Sequence, residues 1–236
     1  MHTVMTIGRL LLILFVGFFL SLLALLSIPF DRRGTVYFWA GSRWSMFSLF
    51  VCRVKVHTEG KDHIPVGGNY IVVSNHASMF DIAAMMALFP TMRIMFKKEL
   101  SYVPLWGWAL RYGKHIMVDR GRSIEAMRSI DRAADAIRSG GSILLFAEGT
   151  RTRDGNLLPF KRGAFSLAAK AGVPILPITI NGSFRILPKK SLNIRPSTIK
   201  MIISKPVPTA GVDSREKEIA LMNEVRGIIE KSYSQQ

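Results

Sequence analysis

The chain has 236 residues, 49% of them hydrophobic, which is enough for one sizeable α/β domain with an appendage. Lys and Arg number 32 against 16 acids, so the net charge is +16 and the partner surface is expected to be anionic, either nucleic acid or membrane. One cysteine, Cys52, excludes an internal disulfide and a cysteine metal cluster, and it fits a reducing compartment as a small apolar filler.

Leu10 to Phe30 is a run of 21 residues without a charge, close to the roughly 20 needed to cross the hydrocarbon layer as a helix. No small-x-small pattern closes it, since Leu25 stands two positions before Ser27, so it reads as a retained membrane segment rather than a cleaved signal. This run selects membrane over nucleic acid as the anionic partner. After the break Asp31-Arg32-Arg33-Gly34 comes a second apolar stretch, Thr35 to Cys52, with Trp39, Trp44, Phe47 and Phe50 around a central Arg43. Such a composition suits a helix at the lipid–water interface. The two segments fit a helical hairpin dipping into one leaflet, or one span followed by an interfacial helix. Residues 1–53 are thus expected to anchor the chain. Residues 1–60 carry six basic and two acidic groups, so +12 of the +16 belongs to the rest. That part is expected on the cytoplasmic face, against anionic lipid headgroups.

Residues 54–236 alternate strand-like and helix-like patterns without an internal repeat, which predicts a single α/β domain. Its sheet is expected to be mixed and largely parallel, flanked by helices. Strands are predicted at Val54 to Thr58, Tyr70 to Ser74, Thr91 to Phe96, His115 to Val118, Ser142 to Ala147, Ile175 to Ile180 and Thr198 to Ser204. Met79 to Phe89 reads as an apolar helix. A second runs from a Ser123 cap through Ile124, Met127, Ile130 and Ala134 to Ile137 before Gly140-Gly141 stops it. The last, Ser214 to Ser232, places Ile219, Met222, Val225 and Ile229 toward the core.

Asn75-His76-Ala77-Ser78-Met79-Phe80-Asp81 carries the chemistry. Five residues of ideal helix turn through roughly 500°, which leaves the two side chains about 140° apart. The pair therefore requires His76 in the strand-to-helix turn, with Asp81 projecting back from the helix. The carboxylate then holds one imidazole nitrogen and leaves the other free to take a proton from a hydroxyl. A plain structural alternative has Asn75 capping the helix, His76 packing locally and Asp81 as a solvated first-turn acid.

Three further segments bear on that choice: Gly113-Lys114-His115-Ile116-Met117-Val118-Asp119-Arg120, Leu145-Phe146-Ala147-Glu148-Gly149-Thr150-Arg151-Thr152, and Val173-Pro174-Ile175-Leu176-Pro177-Ile178. In this order and spacing the four segments resemble the glycerophospholipid acyltransferase family, which includes the 1-acyl-glycerol-3-phosphate acyltransferases, over about Val54 to Ser204. Phe160-Lys161-Arg162-Gly163-Ala164-Phe165 is similar to the family's segment after the third motif. Ala147 and Thr152 depart from that motif, which usually has proline and serine there; the missing proline bears on how the loop is stiffened. The resemblance implies that His76 is the catalytic base and Asp81 its partner. It also implies a phosphate-binding loop at Gly149, Thr150 and Arg151, with Glu148 holding that loop or contacting glycerol hydroxyls. Arginine's planar fork suits a phosphomonoester. Arg120 and one of Lys97 or Lys98, preferably Lys98, follow strands at the same sheet end.

The implied reaction is direct acyl transfer from a thioester, of coenzyme A or acyl carrier protein, to the free hydroxyl of lysophosphatidic acid, giving phosphatidic acid. No Gly-x-Ser-x-Gly elbow, His-Glu-x-x-His or Walker loop occurs, and the histidines His2, His57, His63, His76 and His115 are scattered. No metal, cofactor or nucleic acid is expected. Acylation of another lysolipid, such as a lyso-aminolipid, is the alternative within the class. A non-catalytic basic membrane-surface protein is the alternative outside it.

Overall fold

The computed structural model describes residues 2–119 and 123–234. Arg120 lies outside the described residues, as do the side chains of Ile124 and Met127.

Near the middle of the sheet is β2 (Ile71–Ser74), between β5 (Ile143–Phe146) and β6 (Ile175–Asn181) and parallel to both. All residues of β2 and β6 are buried. Their unbroken apolar character follows from cover on both faces, where an alternating strand would leave polar groups stranded. Next to β5 come β3 (Arg93–Lys97) and β4 (Ile116–Val118), both parallel. On the other side β7 (Thr198–Ile203) runs antiparallel to β6 and parallel to the edge strand β1 (Lys55–Glu59). The order is β1-β7-β6-β2-β5-β3-β4. The seven predicted strands all form, five of them pointing one way, so their C-terminal ends share one edge.

Successive residues face opposite sides. Val72, Leu144, Leu176 and Ile178 belong to one core with α3 (Phe80–Leu88). Ile71, Val73, Ile143 and Ile175 belong to the other, with α5 (Ser123–Arg138), α6 (Gly163–Ala171) and α8 (Arg215–Ser232). Ala133, Ala134 and Ile137 carry the α5 contact, with Ile130 packed beside them. Ser214 caps α8, its hydroxyl accepting the Lys217 N–H at 3.3 Å. The buried stripe of α8 is Leu221, Val225 and Ile229, whereas Ile219 is exposed. The expectation for Ile219 fails because six residues, about 240° of helix, separate it from Val225.

The N-terminal segments form a helical hairpin. α1 (His2–Ser27) and α2 (Thr35–Val51) run in opposite directions, the Trp44 Nε1–H donating to Ile13 O at 3.1 Å. Asp31 in the intervening turn accepts the N–H groups of Thr35, Val36 and Tyr37 at 2.8, 2.7 and 3.1 Å. That satisfies the first turn of α2. Arg43 is exposed and lies over the Trp39 ring at 5.6 Å. Met5–Ser27, with a mean hydropathy of 2.8, is long and apolar enough to cross a membrane. Leu11, Leu14, Phe15, Phe18 and Leu26 are exposed along it; an apolar face of this kind marks membrane association. The hairpin is also part of the packed interior, since Ile13, Leu49 and Cys52 share the α3 core.

Gly113 explains itself by close approach. A Cβ there would stand 2.2 Å from a Tyr37 ring carbon and 2.5 Å from Ala109 O, which belongs to α4 (Trp106–Tyr112). Gly113→Ala is expected to destabilise the protein by about 1–3 kcal/mol through overpacking. Gly227→Ala, at an exposed helix position with nothing within 4 Å, is expected to stabilise by up to about 1 kcal/mol. Thermal unfolding of both in detergent checks the contrast, and equal melting temperatures would show that Tyr37 yields freely.

Candidate active site

The site is built where β2 ends. Asn75 acts as a peptide mimic beyond the strand: its Nδ2 donates to Ile180 O and its Oδ1 accepts the Ile180 N–H, both at 2.8 Å. Asn75 therefore clamps β2 to β6 rather than capping α3. Past this clamp the chain turns, and Asp81, the second residue of α3, reaches back. Its Oδ2 accepts His76 Nδ1–H at 2.8 Å, Ala77 N–H at 2.7 Å and Ser78 N–H at 2.8 Å. Asp81 is fully buried, which rules out the solvated first-turn acid. Its Oδ1 is also buried and has no partner among the described residues. The imidazole stacks on Phe146, with ring centres 3.9 Å apart and planes 14° apart. With Nδ1 donating to the carboxylate, the Nε2 lone pair is left free.

A second buried carboxylate holds the backbone of His76. Glu148 Oε1 accepts the His76 N–H at 2.6 Å and Oε2 accepts the Leu158 N–H at 2.9 Å. His76 O in turn accepts the Thr152 N–H at 3.0 Å. Of the two roles open to Glu148, both oxygens serve loop holding. Ala147 supplies the stiffness expected of the missing proline: its N–H donates to Ser74 O at 3.1 Å, a bond proline does not make, and its carbonyl accepts the Lys161 N–H at 2.7 Å. Thr152 is buried, its hydroxyl donating to Asp154 Oδ1 at 2.9 Å.

Gly149 follows with φ +69°, and the Lys161 stem lies so close that an added Cβ would stand 3.0 Å from its Cδ. Lys189 Nζ donates to Thr150 Oγ1 at 2.8 Å and to Arg151 O at 3.2 Å. His76, Gly149, Thr150, Arg151, Lys97 and Lys161 all line one cavity of about 630 Å³. The rest of its wall is mostly apolar, with Met86, Ile94 and Phe96 from the domain and Leu20, Ala24, Phe38 and Trp44 from the N-terminal hairpin, and His115 is among the lining residues. The hairpin, expected to anchor, thus also walls the cavity.

Six of the eight predicted site residues come together here: His76, Asp81, Glu148, Gly149, Thr150 and Arg151. Lys98 turns to Asp119, donating to its Oδ2 at 2.9 Å, while the neighbouring Lys97 takes the cavity side. Arg120 falls outside the described residues. Lys161 and Lys189 were not selected from the sequence. The first sits in the segment after the third motif, where its place carried a signal; the second is a lysine in a basic loop with none.

A family model described as Acyltransferase matches residues 55–181. The chain is 33% identical over 181 residues to the chloroplastic 1-acyl-sn-glycerol-3-phosphate acyltransferase BAT2 of Brassica napus, covering 75% of this chain and 52% of that one. It is 31% identical over 193 residues to the 1-acyl-sn-glycerol-3-phosphate acyltransferase of Pseudomonas aeruginosa, covering 80% and 73%. The chain spans about half the length of the plant relative. Among solved structures, the 1-acyl-sn-glycerophosphate acyltransferase PlsC from Thermotoga maritima superposes with a TM-score of 0.84 at 26% identity, covering 98% of this chain and 94% of that one.

Burial raises the Glu148 carboxyl from 4.5 to about 7, against the opposing pull of its two backbone donors. The folded protein therefore keeps this proton to higher pH than the unfolded chain does. The associated stability is fully present below the unfolded value near 4.5 and is lost as pH rises to about 7. Denaturation in detergent between about pH 5 and 8 is expected to show wild type losing stability relative to Glu148→Gln as pH rises. Parallel curves would mean that Glu148 does not titrate in this window.

Proposed function

The chain belongs to the acyltransferase family, and from that premise we propose that it moves a fatty acyl group from a thioester to the free hydroxyl of 1-acyl-glycerol-3-phosphate, forming phosphatidic acid. The observation that carries this reading is the buried Asp81–His76 pair facing an apolar cavity whose polar wall is basic. An apolar chain and an anionic headgroup are what such a cavity accommodates together.

In the proposed reaction His76 Nε2 takes the proton of the acceptor hydroxyl as its oxygen attacks the thioester carbonyl carbon. The tetrahedral intermediate then expels the thiolate, which receives the proton back from His76. Asp81 stabilises the imidazolium formed between these steps and fixes its tautomer. No covalent enzyme intermediate is involved. The backbone N–H groups of Thr150 and Arg151 donate to no protein acceptor among the described residues. Next to a left-handed glycine, such groups suit the developing oxyanion or a phosphate oxygen.

Arg151 is assigned to the acceptor phosphate with Lys161 and Lys189, and Arg120 joins them by its place in the second motif. Lys98, paired with Asp119, is assigned to holding the β3–β4 end, with Lys97 nearer the headgroup. The thioester is one of coenzyme A or acyl carrier protein. Residues 1–53 are assigned to membrane anchorage and 54–236 to catalysis, with the basic domain on the cytoplasmic face against anionic lipid.

His76→Ala is expected to lower turnover by at least about 10²-fold, the usual scale for a general base, with Asp81→Asn also severe. Lipid product analysis with purified protein, lysophosphatidic acid and an acyl thioester reads this. More than half of wild-type turnover in His76→Ala would remove His76 as the base.

Arg151→Ala is expected to raise the KM for lysophosphatidic acid by roughly 10- to 150-fold, the scale of one charge-assisted hydrogen bond. The KM for the donor should change far less, and Arg151→Lys should recover part of the loss. Equal rises in both constants would take Arg151 off the phosphate.

A further inference from the structure

His115 is a polar side chain in the cavity wall that the reaction does not use. It immediately precedes β4 and lines the cavity, its ring packed edge-on against Tyr37 and Phe38 with ring centres 5.3 and 6.0 Å away. The Ile94 backbone N–H points at His115 Nδ1 from 3.2 Å. A donor on that side requires Nδ1 to be the unprotonated nitrogen. Burial, with the nearby Arg93 charge adding to it, lowers the pKa of His115 to about 4. The ring is therefore neutral at neutral pH, and its one hydrogen sits on Nε2.

His115 Nε2 makes no hydrogen bond among the described residues. The same wall includes Ala24, Phe38, Ala109 and Leu110, apolar side chains that suit an alkyl chain but offer the donor no acceptor. A donor facing an apolar enclosure costs free energy whenever the enclosure fills with hydrocarbon, and the cost disappears when the ligand brings an oxygen to it.

We propose that His115 makes this part of the cavity a recognition point for a fatty acyl chain bearing an oxygen, a hydroxyl or keto group that accepts the Nε2–H bond. This rests on the acyl-transfer reading and adds a preference among acyl chains to it. The same chemistry reaches His115 from the donor's chain or from the chain already on the lysolipid.

Two series separate the sources. In one, thioesters of a single chain length carry a hydroxyl walked along the chain, presented on coenzyme A and on acyl carrier protein, with lysophosphatidic acid as acceptor. In the other, the walked hydroxyl is on the lysophosphatidic acid and the donor is unsubstituted. In one series, one positional isomer is expected to exceed the others in kcat/KM by about tenfold, the scale of pairing a hydroxyl that is otherwise buried unpaired. His115→Phe should flatten that maximum, and His115→Gln, which keeps a donor, should retain part of it. Comparing isomers with one another cancels the general cost of burying a hydroxyl. A flat profile in both wild-type series overturns the proposal whether or not the variants fold, and so does a maximum that survives in folded His115→Phe. Failure to transfer even unsubstituted chains from either carrier would instead remove the acyl-transfer reading, and this inference with it.

Discussion

A single buried oxygen, Asp81 Oδ2, gathers three N–H donors from consecutive residues 76 to 78. The chain leaving β2 must curl around that oxygen, so the imidazole, its tautomer and the start of α3 are fixed by the same bonds. A carboxylate accepting backbone donors is held more firmly than one paired by a flexible side chain, because the partners have no rotamers to lose. Asn75 and Glu148 repeat the device on either side. Each is buried, and each spends its polar atoms on backbone groups of a distant segment, Ile180 in one case and His76 with Leu158 in the other. His76 is thereby located by polar bonds, with Phe146 setting only the ring's resting plane.

These bonds lie at one edge because of the sheet's topology. β2 runs near the centre with β5 and β6 as parallel neighbours, so the loops after β2 and β5 emerge side by side. The first carries His76 and the second carries Glu148 to Arg151. Parallel strands with covered faces direct their polar turns to one rim, which is where ligand crevices of open α/β sheets form. β7 returns antiparallel to β6, so the segment joining them also starts at this rim, and it brings Lys189 to Thr150.

Most strands were legible because they are apolar runs too short for a helix and bounded by turn residues, the polar edge strand Lys55–Glu59 being the exception; their ends shifted by two residues or fewer. The His76–Asp81 pair was legible because its two members are five residues apart, so local geometry alone constrains them. Lys189 was not, since it reaches Thr150 across 39 residues of chain, and no local pattern distinguishes it from any other loop lysine. The helical hairpin was one of two arrangements the sequence allowed. It was decided by Trp44 meeting Ile13 across 31 residues, a contact that hydropathy does not encode. On α8 the error was one of phase: both faces offer apolar residues, and the core took Leu221 rather than Ile219.

Hydropathy also concealed that the N-terminal helices have two apolar duties. Leu11, Leu14 and Phe18 look outward, while Leu20 and Ala24 of the same helix, with Phe38 and Trp44 of the next, enclose the cavity. Close packing depends on small residues: a Cβ on Gly17 would stand 2.6 Å from Trp44 Nε1 between these two helices, and one on Gly41 would stand 2.7 Å from the Met86 methyl of α3. The cavity thus joins an apolar wall shared with the membrane-associated hairpin to a basic wall of Lys97, Arg151 and Lys161, with His76 in the same lining. In the proposed reaction this polarity orients the acceptor: its chain lies toward the helices and its phosphate toward the basic loop. The glycerol, which joins the two, is then brought to the imidazole, and the site selects the reacting hydroxyl by where the ends of the molecule are held.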